Sequence, residues 1–255
     1  MENCETIRYT ISEYVATVTI TRPPVNAQNN RFRDEIADVI DELGDRSDVR
    51  VIILTGDGTV FSAGADLSER PTTDPGDYTR HNRRVRKSFD CLIECAKPII
   101  AAVNGAAIGA GCVTALCCDV ILVSKNAFFQ MTEVKVGLAG GVSHIRRHFG
   151  ESDARLLIYS GRRIPADELF RMNVASFCVE SDQLMPKAME IAVEIAGASP
   201  SAVRAAKTSF KVTEGMSLSD AYQFEQSQTK ILSTSDDTAE GMAAFREKRT
   251  PVFKS

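Results

Sequence analysis

The chain of 255 residues lacks the marks of several large classes of protein. No apolar run reaches the roughly 20 residues that a membrane span needs, and the start, MENCETIRYT, has neither a signal-peptide core nor transit-peptide character. A formal net charge of -4, with no aromatic residues interleaved in the basic stretch 80–87, argues against nucleic-acid binding and favours a solvated helix face there. We therefore expect a cytoplasmic protein that binds neither a membrane nor nucleic acid.

Several catalytic and cofactor motifs are also absent. There is no GxSxG elbow of a serine hydrolase. The stretch after PIIAAVN reads GAAIGAG rather than GxGxxG, and no ribose-binding acidic residue follows at the end of a second strand, which argues against a dinucleotide enzyme. No CxxC occurs, and His144 with His148 lacks the further ligands of a zinc site. The seven cysteines, an odd number, fit reduced thiols, so we expect no metal site and no disulfide framework.

What is present is an alternation of strand and helix patterns in the first half. Short β-branched runs bounded by turn residues predict strands at 15–22, 51–56, 98–104 and 119–124. Between the first two, Ile36, Val39, Ile40 and Leu43 recur at helical spacing. The second half is helical in pattern, over 153–161, 165–174, 184–198, 201–212 and 219–232. This order predicts an α/β fold followed by helices, with an exposed loop at 71–79.

Two segments rich in glycine and alanine each follow a predicted buried strand. FSAGAD occupies 61–66, and NGAAIGAG occupies 104–111. Small side chains let backbone amides approach a substrate closely, and an enolate oxygen needs two preorganised N–H donors. We interpret the segments as two halves of one oxyanion hole, with the amides of Ala63 and Ala110 as donors. Each donor is expected where a strand meets a helix, so that the helix dipole adds to the stabilisation of an anion.

Four blocks, in their order and spacing, resemble the enoyl-CoA hydratase/isomerase family, the crotonase superfamily. They are VATVTITRPPVNAQNN, VIILTGDGTVFSAGADL, KPIIAAVNGAAIGAGC and MAAFREKRTPVFKS. The resemblance implies an α/β spiral of ββα repeats over 1–195, a C-terminal helical subdomain over 196–255, and a homotrimer or dimer of trimers. It also implies an acyl-CoA thioester as substrate, with CoA as part of that substrate and no separate cofactor.

The resemblance assigns a set of positions to substrate and CoA binding. They are Val25, Ala27, Ala63, Gly64, Ala65, Asp66, Ala110, Phe245 and Lys248. Phe245 and Lys248 match positions that reach the adenine and phosphates from an adjacent subunit, although a surface lysine fits a solvated face equally well. We expect Asp66 to cap a following helix rather than to take part in chemistry.

The sequence departs from the family pattern three residues after Ala110. Hydratases of the family have their first catalytic glutamate there, whereas this chain has Val113, which cannot make a side-chain hydrogen bond. Twenty residues further on, Glu133 matches the second glutamate. Hydration shares one water between two carboxylates, but moving a double bond needs one base that takes a proton from C2 and returns it at C4. We therefore predict isomerisation of 3-enoyl-CoA to 2-enoyl-CoA, with a partly buried Glu133 of raised pKa as the catalytic acid and base.

Other functions stay open at this point. A hydratase or specialised relative would use another group in place of the missing glutamate, and His144, after the glycine-rich loop, is our candidate because imidazole titrates near neutrality. His81, in the basic segment, is a second. A helix cap or a subunit contact is the structural alternative for His144. A non-catalytic acyl-CoA-binding protein is the alternative from another class, and the retention of Glu133 argues against it.

Overall fold

The fold begins with a hairpin and a helix. The computed structural model describes residues 4–69 and 74–254, with only the backbone of Pro75. Strands β1 (Ile7–Ser12) and β2 (Val15–Ile20) pair antiparallel, and helix α1 (Asn30–Asp45) follows them. Asn29 caps α1 by accepting a hydrogen bond from the Phe32 amide at 2.9 Å.

From residue 51 the chain repeats a unit of two strands and a helix. The first unit has β3 (Val51–Gly56), β4 (Val60–Ser62) and α2 (Pro75–Glu94). The second has β5 (Ile99–Val103), β6 (Ala106–Ile108) and α3 (Ala110–Leu116). The third has β7 (Val120–Ser124), β8 (Phe128–Gln130) and α4 (Val142–His148). These units confirm the predicted α/β fold of repeated ββα units.

The two strands of each unit enter different sheets. The first strands join a six-stranded sheet of order β1-β2-β3-β5-β7-β10, which β10 (Phe177–Val179) closes. The second strands join a four-stranded sheet of order β4-β6-β8-β9, with β9 (Arg163–Pro165) at its edge. Within the repeats, neighbouring strands are parallel. Because consecutive units lie side by side and their strands are parallel, the chain segments that follow β4 and β6 begin next to each other.

The six-stranded sheet is buried on both faces, which explains its nearly continuous apolar strands. On β3, Ile52 and Leu54 pack into a core with α1, whereas Val51 and Ile53 pack into a second core with α7 (Leu184–Ala196). The alternation follows from the period of two along a strand. The sequence-predicted strands at 15–22, 51–56, 98–104 and 119–124 are all present within one or two residues.

The predicted C-terminal helices are also confirmed. Besides α7 they are α5 (Glu151–Ser160), α6 (Ala166–Arg171), α8 (Pro200–Thr213) and α9 (Leu218–Leu232), and α10 (Asp236–Glu247) follows. Helix α7 covers the sheet with four buried residues, whereas all of α9 is described and none of its residues is buried. The helices after residue 196 therefore contribute little to the core within one chain.

The loop predicted over 71–79 is wrong in its second half, because α2 already begins at Pro75. Asp74 accepts a hydrogen bond from the Gly76 amide at 2.8 Å, and proline is favourable at the first position of a helix. Residues 70–73 lie outside the described residues.

Other sequence expectations concern thiols, membranes and metals. All seven cysteines are free thiols, and five of them are buried. Within the described residues, no helix combines the length and apolar character that a bilayer crossing requires. Over 4–69 and 74–254, no three His, Cys, Asp or Glu side chains gather as a metal site requires.

Candidate active site

The two glycine- and alanine-rich segments lie against each other where β4 and β6 end. Gly64 has a φ of +86°, and a Cβ atom there would come within 2.4 Å of the Ile108 carbonyl oxygen and 3.2 Å of the Ala110 amide nitrogen. Any side chain at position 64 would therefore both strain the backbone and collide with the second segment. The structure thus brings together the segments that the sequence pairs.

The amide of Ala63 does not have the role that the sequence assigns to it. It donates a hydrogen bond to the Val25 carbonyl at 2.9 Å, so it is already occupied. The amide of Ala65 is different, because Gln28 bonds to the residues on either side of it. The Gln28 amide donates to the Gly64 carbonyl at 2.7 Å, and the Asp66 amide donates to the Gln28 carbonyl at 3.0 Å. Among the described residues, neither the Ala65 amide nor the Ala110 amide has a hydrogen-bond acceptor. The available pair is therefore Ala65 and Ala110.

The expectation that a helix begins directly after the first segment is also wrong. A single 3-10 turn, Leu67–Glu69, follows Asp66, and α3 after the second segment has seven residues. Asp66 accepts hydrogen bonds from the backbone amide and the hydroxyl of Ser68, at 3.0 and 2.7 Å, and pairs with Arg22 at 2.6 Å. These contacts lower the pKa of Asp66, those of Ser68 most. Asp66 is thus held as a structural anion that caps this turn.

A cavity of about 350 Å³ opens over the two amides. The first segment and α2 form one side of it, and the chain from 132 to 141 forms another. Ala65, Ala110, Val113 and Glu133 all line this cavity. The sequence-predicted base therefore shares one cavity with both amides.

Glu133 is the first residue of a 3-10 turn, Glu133–Val136. A Cβ atom at Gly109 would lie 2.7 Å from Oε1 of Glu133, which places this carboxyl group directly against the second segment. Its Oε2 is buried without a hydrogen-bond partner in the described structure. Burial raises the pKa of Glu133, and hydrogen bonds from the Glu133 and Thr132 amides oppose the shift. A carboxyl group in such a place is suited to accept and return a proton near neutral pH.

Val113 occupies the wall of the cavity where the family's first glutamate is expected. It is 2% exposed, and a Cβ atom at Gly141 would lie 3.0 Å from its Cγ2. Of the carboxylates described around this cavity, Asp66 is the other one, and it is paired with Arg22. Glu133 therefore has no second carboxylate available to share a water with it.

The two candidate histidines differ in their access to this site. His144 does not line the cavity, and its ring packs edge-on against Phe89 with centroids 5.6 Å apart. Burial lowers the pKa of His144, which favours the neutral imidazole. His81 does line the cavity, and its ring lies edge-on to Tyr78 at 5.9 Å. Of the two candidates, His81 therefore shares the cavity with Glu133, whereas His144 does not.

The residues assigned to CoA binding are divided between two places. Gly64, Ala65 and Asp66 line the cavity, and the turn with Val25 and Ala27 is held next to them by the Ala63 to Val25 hydrogen bond. Phe245, which is 82% exposed, and Lys248, at the end of α10, do not line the cavity in this chain. Their assignment depends on a neighbouring subunit and stays a prediction.

Two side chains of the basic stretch on α2 pair with helix α1. Arg84 pairs with Asp34 at 2.9 Å, and Lys87 lies 3.6 Å from Asp38.

Sequence reasoning missed a different cation: Arg33 on α1 lines the cavity and is buried. The signal was present, since Arg33 precedes Ile36 and Ile40 on the same apolar stripe of the helix.

Two free backbone amides and a buried carboxyl group in one cavity define a site for acyl groups whose carbonyl oxygen gains negative charge during reaction. The family model for enoyl-CoA hydratase/isomerase matches residues 10–255. The 2,3-dehydroadipyl-CoA hydratase of Escherichia coli (strain K12) is 33% identical over 94% of this chain and 95% of its own length. The short-chain-enoyl-CoA hydratase of Clostridium acetobutylicum is 37% identical over 92% of each chain.

The crystal structure of enoyl-CoA hydratase from Bacillus anthracis superposes with a TM-score of 0.94, at 31% identity, over 98% of this chain and 99% of that one. The chain belongs to the enoyl-CoA hydratase/isomerase family, as the four sequence blocks indicate.

Proposed function

We propose that this protein moves the double bond of a 3-enoyl-CoA thioester to the 2-position. One observation carries the proposal: Glu133 lies in the cavity with an unpartnered, buried carboxyl oxygen, while Val113 occupies the position of the family's other glutamate. A single base next to an oxyanion hole is sufficient for a proton transfer and poorly equipped to hold a water.

The reaction balances without a second reactant. The thioester oxygen accepts hydrogen bonds from the amides of Ala65 and Ala110. The carboxylate of Glu133 takes a proton from C2, the electron pair is delocalised into a dienolate, and the two amides stabilise the charge on oxygen. Glu133 then returns the proton at C4, which leaves the double bond in conjugation with the thioester.

Hydration is the second candidate, because the two relatives described above carry the name hydratase. In that reaction Glu133 alone would activate a water for attack at C3 of a 2-enoyl-CoA and deliver the proton to C2. The reaction then depends on one carboxylate where the family pattern has two.

The deciding experiment compares wild type, Glu133→Gln and the surface control Glu194→Gln on 3-enoyl-CoA and 2-enoyl-CoA, followed by the absorbance of the conjugated thioester. We expect wild type and the control to convert 3-enoyl-CoA, and Glu133→Gln to lose about 10²- to 10⁴-fold in rate. Hydration of 2-enoyl-CoA with no effect on 3-enoyl-CoA would refute isomerisation. An unchanged rate in Glu133→Gln would refute Glu133 as the base. No turnover of either thioester by wild type would favour a protein that binds acyl-CoA without catalysis.

We also propose self-association through the helices after residue 196. Their large apolar side chains are exposed in the single chain, including Phe210 at 83% and Leu218 at 87%. An exposed apolar surface of this kind is typical of a protein interface. Light scattering coupled to size exclusion should show a trimer or hexamer, and a monomer would contradict the proposal.

A further inference from the structure

Arg33 is a buried cation without a partner in the part of the chain that the structure describes. The residue is 2% exposed, and its Nε atom is enclosed with no hydrogen-bond acceptor. Neither a side-chain hydrogen bond nor an ion pair of Arg33 occurs among the described residues. A guanidinium group stays protonated in proteins, so this position holds a positive charge with which no residue of 4–69 or 74–254 pairs.

The carboxylates around Arg33 are committed elsewhere. Asp34 pairs with Arg84 at 2.9 Å, and Asp66 pairs with Arg22 at 2.6 Å. Glu69 accepts a hydrogen bond from the Asn30 amide at 2.8 Å. All three raise the pKa of Arg33, yet burial has the larger effect and lowers it. The protein therefore holds this charge at a net electrostatic cost.

The location of Arg33 restricts what can reach it. It lines the same cavity as Glu133 and the amides of Ala65 and Ala110, and it is closed to bulk solvent elsewhere. The phosphates of CoA are large and strongly hydrated, so they suit an exposed cation rather than an enclosed one. A group that meets Arg33 must therefore be part of the acyl chain that enters the cavity.

We propose that Arg33 binds a carboxylate at the far end of the acyl group, so that the substrate is a dicarboxylic acyl-CoA with one end free. The planar guanidinium fork matches a carboxylate in a bidentate geometry, and pairing supplies the missing counter-charge. The assignment rests on the proposed function only in taking the cavity as the acyl site, and it names the class of acyl group.

The test measures binding of saturated thioesters, which cannot react. Matched pairs of equal carbon number are compared: butyryl-CoA with succinyl-CoA, hexanoyl-CoA with adipyl-CoA, and octanoyl-CoA with suberyl-CoA. The proteins are wild type, Arg33→Met, Arg33→Lys and the surface control Arg86→Met. Titration calorimetry gives the ratio of dissociation constants within each pair, and near-UV circular dichroism verifies the fold.

For at least one chain length, wild type and Arg86→Met should bind the dicarboxylic thioester about 10- to 100-fold more tightly than its neutral partner. Arg33→Met should abolish or reverse this ratio, and Arg33→Lys should retain part of it because a lysine lacks the fork. Equal affinities within every pair in wild type would overturn the proposal, and this holds even where a variant fails to fold. An unchanged ratio in a folded Arg33→Met would also overturn it.

One further probe separates charge from simple hydrogen bonding. If ω-hydroxyacyl-CoA bound wild type as tightly as the dicarboxylic thioester of the same length, a neutral acceptor would be the ligand and the carboxylate assignment would be wrong. Binding of these unreactive probes is measured separately from turnover of 3-enoyl-CoA. A preference for the dicarboxylic probe in a protein that does not turn over 3-enoyl-CoA would refute the proposed isomerisation alone. Turnover of 3-enoyl-CoA without that binding preference would refute the role of Arg33 alone.

Discussion

Replacing Glu133 by Gln should stabilise the protein in a pH-dependent manner. Burial raises the pKa of Glu133 in the folded chain above its value in the unfolded chain, which is about 4.3. The folded state therefore binds the proton more tightly than the unfolded state. Its contribution to stability is complete below the unfolded pKa and is lost as the pH rises through the folded pKa, where the charge must be buried.

Glutamine is nearly the same size as glutamate and never ionises, so it escapes this loss. Each unit of pKa shift corresponds to about 1.4 kcal/mol, and a carboxyl group that is open to a cavity keeps part of its hydration. We therefore expect the variant to gain about 1 kcal/mol in unfolding free energy above neutral pH and nothing near pH 4. The gain should rise between these limits, over the window that separates the two pKa values.

The assay is urea unfolding of wild type, Glu133→Gln and Glu194→Gln at several pH values. Linear extrapolation gives the unfolding free energy, and an unchanged slope shows that the same surface is exposed. A difference between wild type and Glu133→Gln that is constant with pH would refute the reasoning, as would a loss of stability at high pH. The control should show no trend, because Glu194 is exposed on α7.

Three further perturbations test other parts of the site. Val113→Glu restores the second carboxylate at a wall residue, and we expect measurable hydration of 2-enoyl-CoA; a folded variant without it would contradict our account of the missing glutamate. Gly64→Ala should lower the unfolding free energy, measured with urea, by about 3 kcal/mol or more, because backbone strain at its positive φ adds to the collision with Ile108. The control Gly58→Ala has a φ of +71° but open space around it, and it should cost about 1–2 kcal/mol. Arg33→Met should raise the unfolding free energy by about 1–3 kcal/mol, since it removes an unpaired buried charge; a loss of stability would indicate a partner that the structure does not show.

Much of the fold follows from local patterns in the sequence. The short apolar run of β3 predicts a buried strand, and the spacing of Ile36 and Ile40 predicts the helix α1. The structure contains both elements. The meeting of the two glycine-rich segments also follows, because adjacent parallel strands end at the same edge.

The finer assignments did not follow, because they depend on backbone direction and long-range packing. The positive φ of Gly64 turns the chain, so the amide of Ala65 rather than that of Ala63 is left available. Nothing local distinguishes these two alanines. Likewise, His144 precedes an apolar residue on a short helix, and only its packing against Phe89 of α2 shows that Phe89, and not the imidazole, lines the cavity.

The amides that we propose as donors to the thioester oxygen belong to the main chain, and this affects how the protein can evolve. A point mutation at Ala65 or Ala110 changes a side chain but leaves an N–H in place, provided that the adjoining glycines keep their geometry. The proposed roles of Glu133 and Arg33, and the absence of a carboxylate at Val113, depend on side chains, and each can be exchanged by a single codon change. Selection can therefore alter the reaction and the choice of acyl group step by step while the anion-stabilising element is inherited unchanged.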